Sequence, residues 1–235
     1  MRLDRLLSNQ NGISRQTARS LLRQGRVRVD NQVCQDGLRP ITPFMQVCLD
    51  QACLQTAKPA HYLMLHKPAG YLSATRDPQH PTVLDLLPAE LRPHLHLAGR
   101  LDRSTTGLMV LTNDGQWSRH LTAPGSRLAK VYRVTTREPI AAETGERFAQ
   151  GIYLAREDLL TSPAELQLLT DHEALLTIYE GRHHQVKRMF HAVGNQVTAL
   201  HRERMGPLQL DPEQLAAGEF RQLSSNEIQA VWATT

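Results

Sequence analysis

A chain of 235 residues, 40% of them hydrophobic, can bury a real core, and its length fits one large domain or a small one followed by a medium one. The opening "MRLDRLLSNQNG" holds no signal-peptide run, and no later stretch approaches the roughly 18 apolar residues of a bilayer span, so the sequence predicts a soluble, cytoplasmic protein with no membrane partner. The net charge of +4 is unevenly spread: residues 1–60 carry nine Lys/Arg against four acids, and the other 175 carry 18 against 19, which gives one end of the chain the footprint of a polyanion binder.

Within that end, Leu3, Leu6 and Leu7 fall at helical spacing ahead of Gly12, which can take the left-handed conformation that stops a helix. Ser14 is a good N-cap for a second helix over "RQTARSLLRQ", with Ile13 placed to staple onto Ala18, Leu21 and Leu22 facing inward and Gly25 as the stop. Arg15, Arg19 and Arg23 recur every fourth residue and so stack along one exposed stripe, where like charges repel unless an anion faces them. "RVRVDNQV" alternates Arg26 and Arg28 with Val27 and Val29 before an Asp30-Asn31 turn, the pattern of a half-buried hairpin whose arginines would extend the stripe. An arginine run ordinarily marks a solvated face; helix, helix and hairpin presenting one basic face favour an anion contact instead. Residues 1 to about 50 resemble the αL RNA-binding motif of a small-subunit ribosomal protein and several RNA-modifying enzymes. That resemblance, not composition, implies RNA as the ligand of Arg15, Arg19, Arg23, Arg26 and Arg28. The three cysteines, Cys34, Cys48 and Cys53, are odd in number and lack paired metal spacing, so they are expected to be reduced, mostly buried thiols.

Residues 51–61, "QACLQTAKPAH", show little periodicity and a Lys58-Pro59 break, which predicts a linker and two domains, 1–58 and 59–235. Beyond it the pattern is rich in strands: "YLMLH", "LHLAG", "LMVLT", "KVYRVTT", "AELQLL", "ALLTIYE" and "QVTALHRERMG". "TVLDLL" reads as a short helix, Pro139 as the start of a helix ended by Gly151, and "HHQVKRMFHAVG" as a helix burying Val186, Met189, Phe190 and Val193. Ser224 and Glu227 form a capping box on the last helix, "SNEIQAVWA".

Asp102 stands in "GRLDRSTTG", a loop between two expected central strands, where a rigid scaffold commonly presents reactive groups. An Asp before Ser and Thr is, by itself, more often a turn or cap residue. By the same standard Tyr132 reads as an inward strand tyrosine and Lys187 as a solvated lysine on the flank of its helix. His94, His96, His183 and His184 lack the acids and thiols that would make a metal site.

The combination of "AGRLDRSTTGLMVLTNDG", "KVYRV" and "EGRHHQVKRMF", in that order, resembles pseudouridine synthases of the RsuA family, which carry an αL motif ahead of the catalytic domain; "YLMLHKPAGYLSATRDPQHPTVLDLL" and "GNQVTALHRERMG" extend the likeness over nearly the whole chain. The resemblance implies an α+β fold, with a small αL module followed by a mixed, mainly antiparallel sheet flanked by helices. It implies Asp102 as the catalytic carboxylate, Tyr132 as the aromatic that stacks on the target base, Lys187 as the basic partner of the carboxylate and Leu200 as a small apolar contact to the base. Arg100, Thr105, Thr106, Arg182, His184 and Gln185 are expected to bind the substrate around them. The implied reaction breaks the bond between ribose C1′ and uracil N1 and joins C1′ to C5, with no redox step and no net hydrolysis. It needs no cofactor and no metal, in keeping with a chain that shows neither a P-loop nor a dinucleotide glycine motif. Asp102 could serve as nucleophile or as general base toward a ribose proton, and the sequence leaves both open. The expected target is a uridine of small-subunit (16S) ribosomal RNA, free or presented in an assembly intermediate, and the expected enzyme is a monomer; the alternatives are the same chemistry on large-subunit (23S) RNA, or an RNA-binding assembly factor without turnover.

Overall fold

The computed structural model describes residues 1–155 and 157–234, and its chain divides between Ala60 and His61 into two units. In the first, helix α1 (Leu3–Ser8) precedes α2 (Arg15–Arg23), and Gly12 between them takes φ +78°. The Ser14 hydroxyl accepts the Thr17 amide at 3.0 Å, a cap worth roughly 1 kcal/mol. Strands β1 (Val27–Val29) and β2 (Gln32–Val33) form a hairpin through Asp30 and Asn31, both at positive φ, as a tight two-residue turn requires. Strand β3 (Val47–Leu49) and β4 (Ala52–Gln55) complete an antiparallel sheet in the order β2-β1-β3-β4. The three leucines of α1, Ala18, Leu21 and Leu22 of α2, and Val27, Val29 and Val47 close one core.

Two expectations change here. Residues 52–55 are not linker: they form β4, which reaches its partner through a tight turn with Asp50 at φ +52° and so leaves too short a run to show periodicity. Nor are the thiols mostly buried. Cys34 is, but Cys48 is half-buried and Cys53 exposed, because they face each other on the hairpin that ends at the sheet edge; all three are free.

The second unit is built on one large sheet. Its strands are β5 (Tyr62–Lys67), β6 (His96–Leu97), β7 (Thr106–Thr112), β8 (Lys130–Thr136), β11 (Glu165–Thr170), β12 (Glu173–Ile178), β13 (Val197–Met205), β14 (Leu208–Gln209) and β15 (Phe220–Gln222), while β9 (Tyr153–Leu154) and β10 (Leu159–Leu160) pair apart. The order is β11-β12-β8-β13-β7-β5-β15, with β14 on β13 and β6 on β7. Among the described strands of this sheet, β13 with β7 is the one parallel pairing, which sets His201 opposite Thr106 and Arg202 opposite Gly107. This is the mixed, mainly antiparallel α+β sheet expected of the second domain.

Helices cover both faces. Along β5 and β7, Leu63, Leu65, Met109 and Leu111 enter one core while Met64, Leu108 and Val110 enter the other, which explains the unbroken apolar runs "YLML" and "LMVL". Helices α4 (Thr144–Gln150) and α5 (Gln185–Ala192) give Phe148, Val186, Met189 and Phe190 to the first core; α3 (Gly115–Thr122) and α6 (Ser225–Trp232) give Trp117, Leu121 and Val231 to the second. The Ser224–Glu227 capping box is present, and Arg221 adds a two-pronged ion pair to Glu227. Pro139 does not begin α4: the Asn195 side chain binds the Glu138 carbonyl and the Ile140 amide binds the Asp171 carbonyl, so helix starts only at Thr144. The "TVLDLL" segment is a single tight turn, Val83–Leu86, capped by Thr82.

Candidate active site

The segment between β6 and β7 carries Asp102, and its shape is fixed by the chain that leaves β5. Lys67, the last residue of β5 and wholly buried, donates through Nζ to the carbonyls of Pro68 (3.0 Å), Arg103 (3.2 Å) and Thr105 (2.8 Å). Burial pulls its pKa down to about 8, with the Asp102 charge pushing the other way. The Arg103 Nε returns a bond to the Gly70 carbonyl at 3.0 Å, the Gly70 amide donates to the Arg103 carbonyl at 2.9 Å, and the Ser73 hydroxyl brackets Leu101 through its amide and carbonyl. The Thr105 amide closes a turn onto the Asp102 carbonyl at 3.0 Å. Asp102 is therefore a turn residue by backbone, and its side-chain carboxylate takes no part in holding that turn.

What faces that carboxylate comes from α5 and the residue before it. Lys187 Nζ lies 3.4 Å from Oδ2 and donates to the Ser104 hydroxyl at 2.9 Å; His184 Nε2 lies 3.4 Å from Oδ1. His184 is aimed by backbone at φ +51° just ahead of α5 and by stacking on His183, centroids 3.8 Å apart. Lys187, expected as the partner of Asp102, thus lies within ion-pair range of it, and so does His184.

Asp102 opens on a cleft of about 860 Å³, within the size range of small-molecule sites, whose walls include Tyr132, Leu200, Arg100, Arg182 and Thr105. Tyr132 and Leu200 are buried, Arg100 is exposed, and the Thr105 hydroxyl is buried without a hydrogen-bond partner. Two expected substrate contacts are otherwise engaged. The Thr106 hydroxyl lies outside the cleft lining, 2.8 Å from His201 Nδ1, because Thr106 is already part of β7 beside β13. Gln185 lines the cleft but is 3% exposed; its amide donates to Glu180 at 2.8 Å and accepts from the Arg182 amide at 3.0 Å, so it shapes the loop before α5. Among the described residues no cluster of three or more His, Cys, Asp or Glu could hold a metal ion, and no helix is long and apolar enough to cross a membrane.

Lys67, Lys130 and Arg202 were not anticipated in the site. Each has a sequence signal, a charge at a position where the strand pattern demands burial: the end of "YLMLHK", two residues before Tyr132 on the same face, and two after Leu200.

In the first unit, Arg15, Arg19, Arg23 and Arg28 are exposed as expected. Arg26 is exposed but committed: its guanidinium forks onto Asp50, with Nε–Oδ1 at 3.0 Å and Nη2–Oδ2 at 2.5 Å, leaving little charge to extend the stripe.

A carboxylate beside a lysine, at a cleft with a tyrosine wall, on a mixed sheet that follows a small basic module in the chain, is in keeping with the families the chain matches. Residues 61–192 match the RNA pseudouridylate synthase family and residues 1–47 match the S4 domain. The chain belongs to that family and is an RNA pseudouridine synthase, an isomerase with an RNA-binding S4 domain in front. It is 55% identical over 231 residues to ribosomal small subunit pseudouridine synthase A of Pseudomonas aeruginosa, covering 98% of this chain and 100% of that one. Identity to the protein of the same name from Escherichia coli K12 is 46% over 231 residues, with the same coverage. A crystal structure of a pseudouridylate synthase superposes with a TM-score of 0.72 at 38% identity, covering 98% of this chain and 99% of the other.

Proposed function

We propose that this enzyme converts a uridine of small-subunit (16S) ribosomal RNA to pseudouridine, with Asp102 as the group that attacks the ribose. The observation that carries the reading is the Asp102 carboxylate held between Lys187 Nζ and His184 Nε2, each at 3.4 Å, at the edge of a cleft walled by Tyr132 and Leu200. Only a carboxylate, not the neutral acid, can act as nucleophile at C1′ or as base toward the C2′ proton, and Lys187 is the basic group that stands beside it. The backbone bonds of Lys67 and Ser73 fix the loop, so little reorganisation is needed as the substrate arrives.

The target uridine must leave its stack to expose C1′ and C5, and Tyr132 offsets part of the unstacking by offering a face worth about 1–3 kcal/mol to the base. Leu200 packs against the base, Arg100 and Arg182 take backbone phosphates at the mouth, and Thr105 and His184 contact the nucleotide near the ribose. Arg15, Arg19, Arg23 and Arg28 of the S4 domain bind the phosphates of flanking RNA. A cytoplasmic monomer acting on an assembly intermediate fits this division of labour.

The small-subunit target rests on the names of the relatives together with their identity over nearly the full chain. Its test is incubation of the purified protein with transcripts of small- and large-subunit RNA, free and with small-subunit ribosomal proteins bound, followed by pseudouridine mapping. Product confined to small-subunit RNA is expected; product confined to large-subunit RNA would overturn the target while leaving the chemistry.

A further inference from the structure

The cleft floor holds two cations that the roles above do not use. Lys130, 8% exposed, spends one donor on the Leu128 carbonyl at 3.0 Å. Arg202, 2% exposed, gives Nε to the Leu108 carbonyl at 2.9 Å, and its Nη2 is buried with no hydrogen-bond partner. Both line the same cleft as Asp102. The sheet places them: Lys130 and Tyr132 share one face of β8, and Arg202 stands opposite Tyr132 across the β8–β13 ladder. Burial depresses the Lys130 pKa, the Arg202 charge adds to that, and Glu180 opposes it. A buried guanidinium with an idle donor beside a second cation is a costly arrangement unless something in the cleft completes it.

We propose that Lys130 and Arg202 bind the uracil ring through its carbonyl oxygens and stabilise it as an anion while it is detached from the ribose. The inference rests on Asp102 being the group that acts on the ribose. Heterolysis of the C1′–N1 bond leaves its electron pair on the base, and the resulting uracil monoanion spreads its charge over N1, O2 and O4. The same conjugation makes C5 nucleophilic. When C5 bonds to C1′ the pair returns to carbon, C5 gives up its proton and N1 takes one, so the exchange balances with no other reagent whether Asp102 acts as nucleophile or base. Donors already in place where charge develops stabilise a transition state more than a ground state, and this pair also keeps the free ring from leaving.

A backbone phosphate is the poorer occupant. It would have to shed its water to reach groups this buried, whereas the exposed Arg100 at the mouth meets it at lower cost. The floor beside Tyr132 is where a stacked base lies.

The discriminating experiment compares full-length wild type, Lys130→Met and Arg202→Lys in single turnover on RNA carrying uridine or 5-fluorouridine at the target, reading consumption of the N-linked nucleoside. The fluorinated ring holds negative charge better and needs less help. Met fills the lysine's space without its charge, and Lys at 202 retains a cation while removing Nη2, so either variant gives a reading if the other fails a thermal melt. Loss of about 100-fold on uridine is expected, with a loss about tenfold smaller on 5-fluorouridine and RNA affinity unchanged. Equal losses on the two substrates, or no loss, would overturn the proposal. So would a loss confined to affinity, which would give the pair to a phosphate. Asp102→Asn, run alongside, keeps the readings apart: activity there refutes the Asp102 assignment, whereas an inactive Asp102→Asn beside a fully active Lys130→Met refutes only the anion site.

Discussion

Replacing Arg15, Arg19 and Arg23 by glutamine tests whether the basic stripe is an RNA interface or a solvated helix face. All three are exposed on α2, whose fold depends on Ser14, Ala18, Leu21 and Leu22 rather than on the guanidinium groups, so the variant should keep its melting temperature. Each phosphate contact that is lost removes roughly 0.7 (single strand) to 0.9 (duplex) from the slope of log affinity against log salt. Three contacts correspond to a slope shallower by about 2 to 3, which over a fourfold rise in salt makes wild type lose roughly 20- to 40-fold more affinity than the variant. The assay is RNA binding by filter retention or fluorescence anisotropy from 50 to 200 mM salt, salt levels at which such contacts are measurable. Arg26→Gln is the internal control: with its guanidinium forked onto Asp50 it should change the slope by less than one ordinary contact. An unaltered slope in the triple variant, or an Arg26 effect as large as a third of the triple, would refute the reasoning.

Lys67→Met should cut turnover by about 100-fold with little change in RNA affinity, because the Arg103 and Thr105 carbonyls lose the ammonium that pins the loop on either side of Asp102; single-turnover rates at saturating enzyme check this, and wild-type turnover would contradict it. Gly107→Ala should destabilise the second unit severely, since at φ +107° a Cβ would lie 2.3 Å from the Arg202 carbonyl oxygen where β7 and β13 run parallel; thermal melting should show a loss of about 6–12 °C, roughly that of 3 kcal/mol in a unit this size. Arg221 and the helix cap hold the Glu227 carboxyl at about 2, below its ordinary 4.5, so its contribution is whole above about 4.5 and disappears as pH falls toward 2. Glu227→Gln should therefore lower the melting temperature at pH 6 and narrow the difference between pH 6 and pH 3, and an unchanged acid sensitivity would refute the linkage.

What the sequence discloses is what is local. The Ser14 cap, the Asp30-Asn31 hairpin and the Ser224–Glu227 box are each settled within a few residues, and each is found where its residues predict it. Helix α3 is hidden because Asp114-Gly115 looks like a turn, whereas the Asp114 carboxylate caps the Gln116 and Trp117 amides and starts a helix. The parallel meeting of β7 with β13 is non-local and leaves no periodic trace; its one mark is the glycine at 107, needed for close approach. The same holds at the site. Asp102 and Lys187 stand out through the family motifs, and the fold brings them together across 85 residues of chain. Gln185 and Thr106 lie beside those motifs but are spent on Glu180 and His201, partners that proximity in sequence does not reveal.

The central claim is that Asp102 is a reagent and not only the turn residue its backbone makes it. Asn at this position keeps the size and the turn while abolishing charge, basicity and nucleophilicity. Purified wild type and Asp102→Asn are compared at matched, saturating protein on small-subunit RNA, with pseudouridine mapped at single-nucleotide resolution and thermal melts and RNA affinity measured on the same preparations. The expected result is a folded variant that melts at or above the wild-type temperature, binds RNA as wild type does and forms no detectable pseudouridine. Substantial product from a well-folded Asp102→Asn protein would contradict the account.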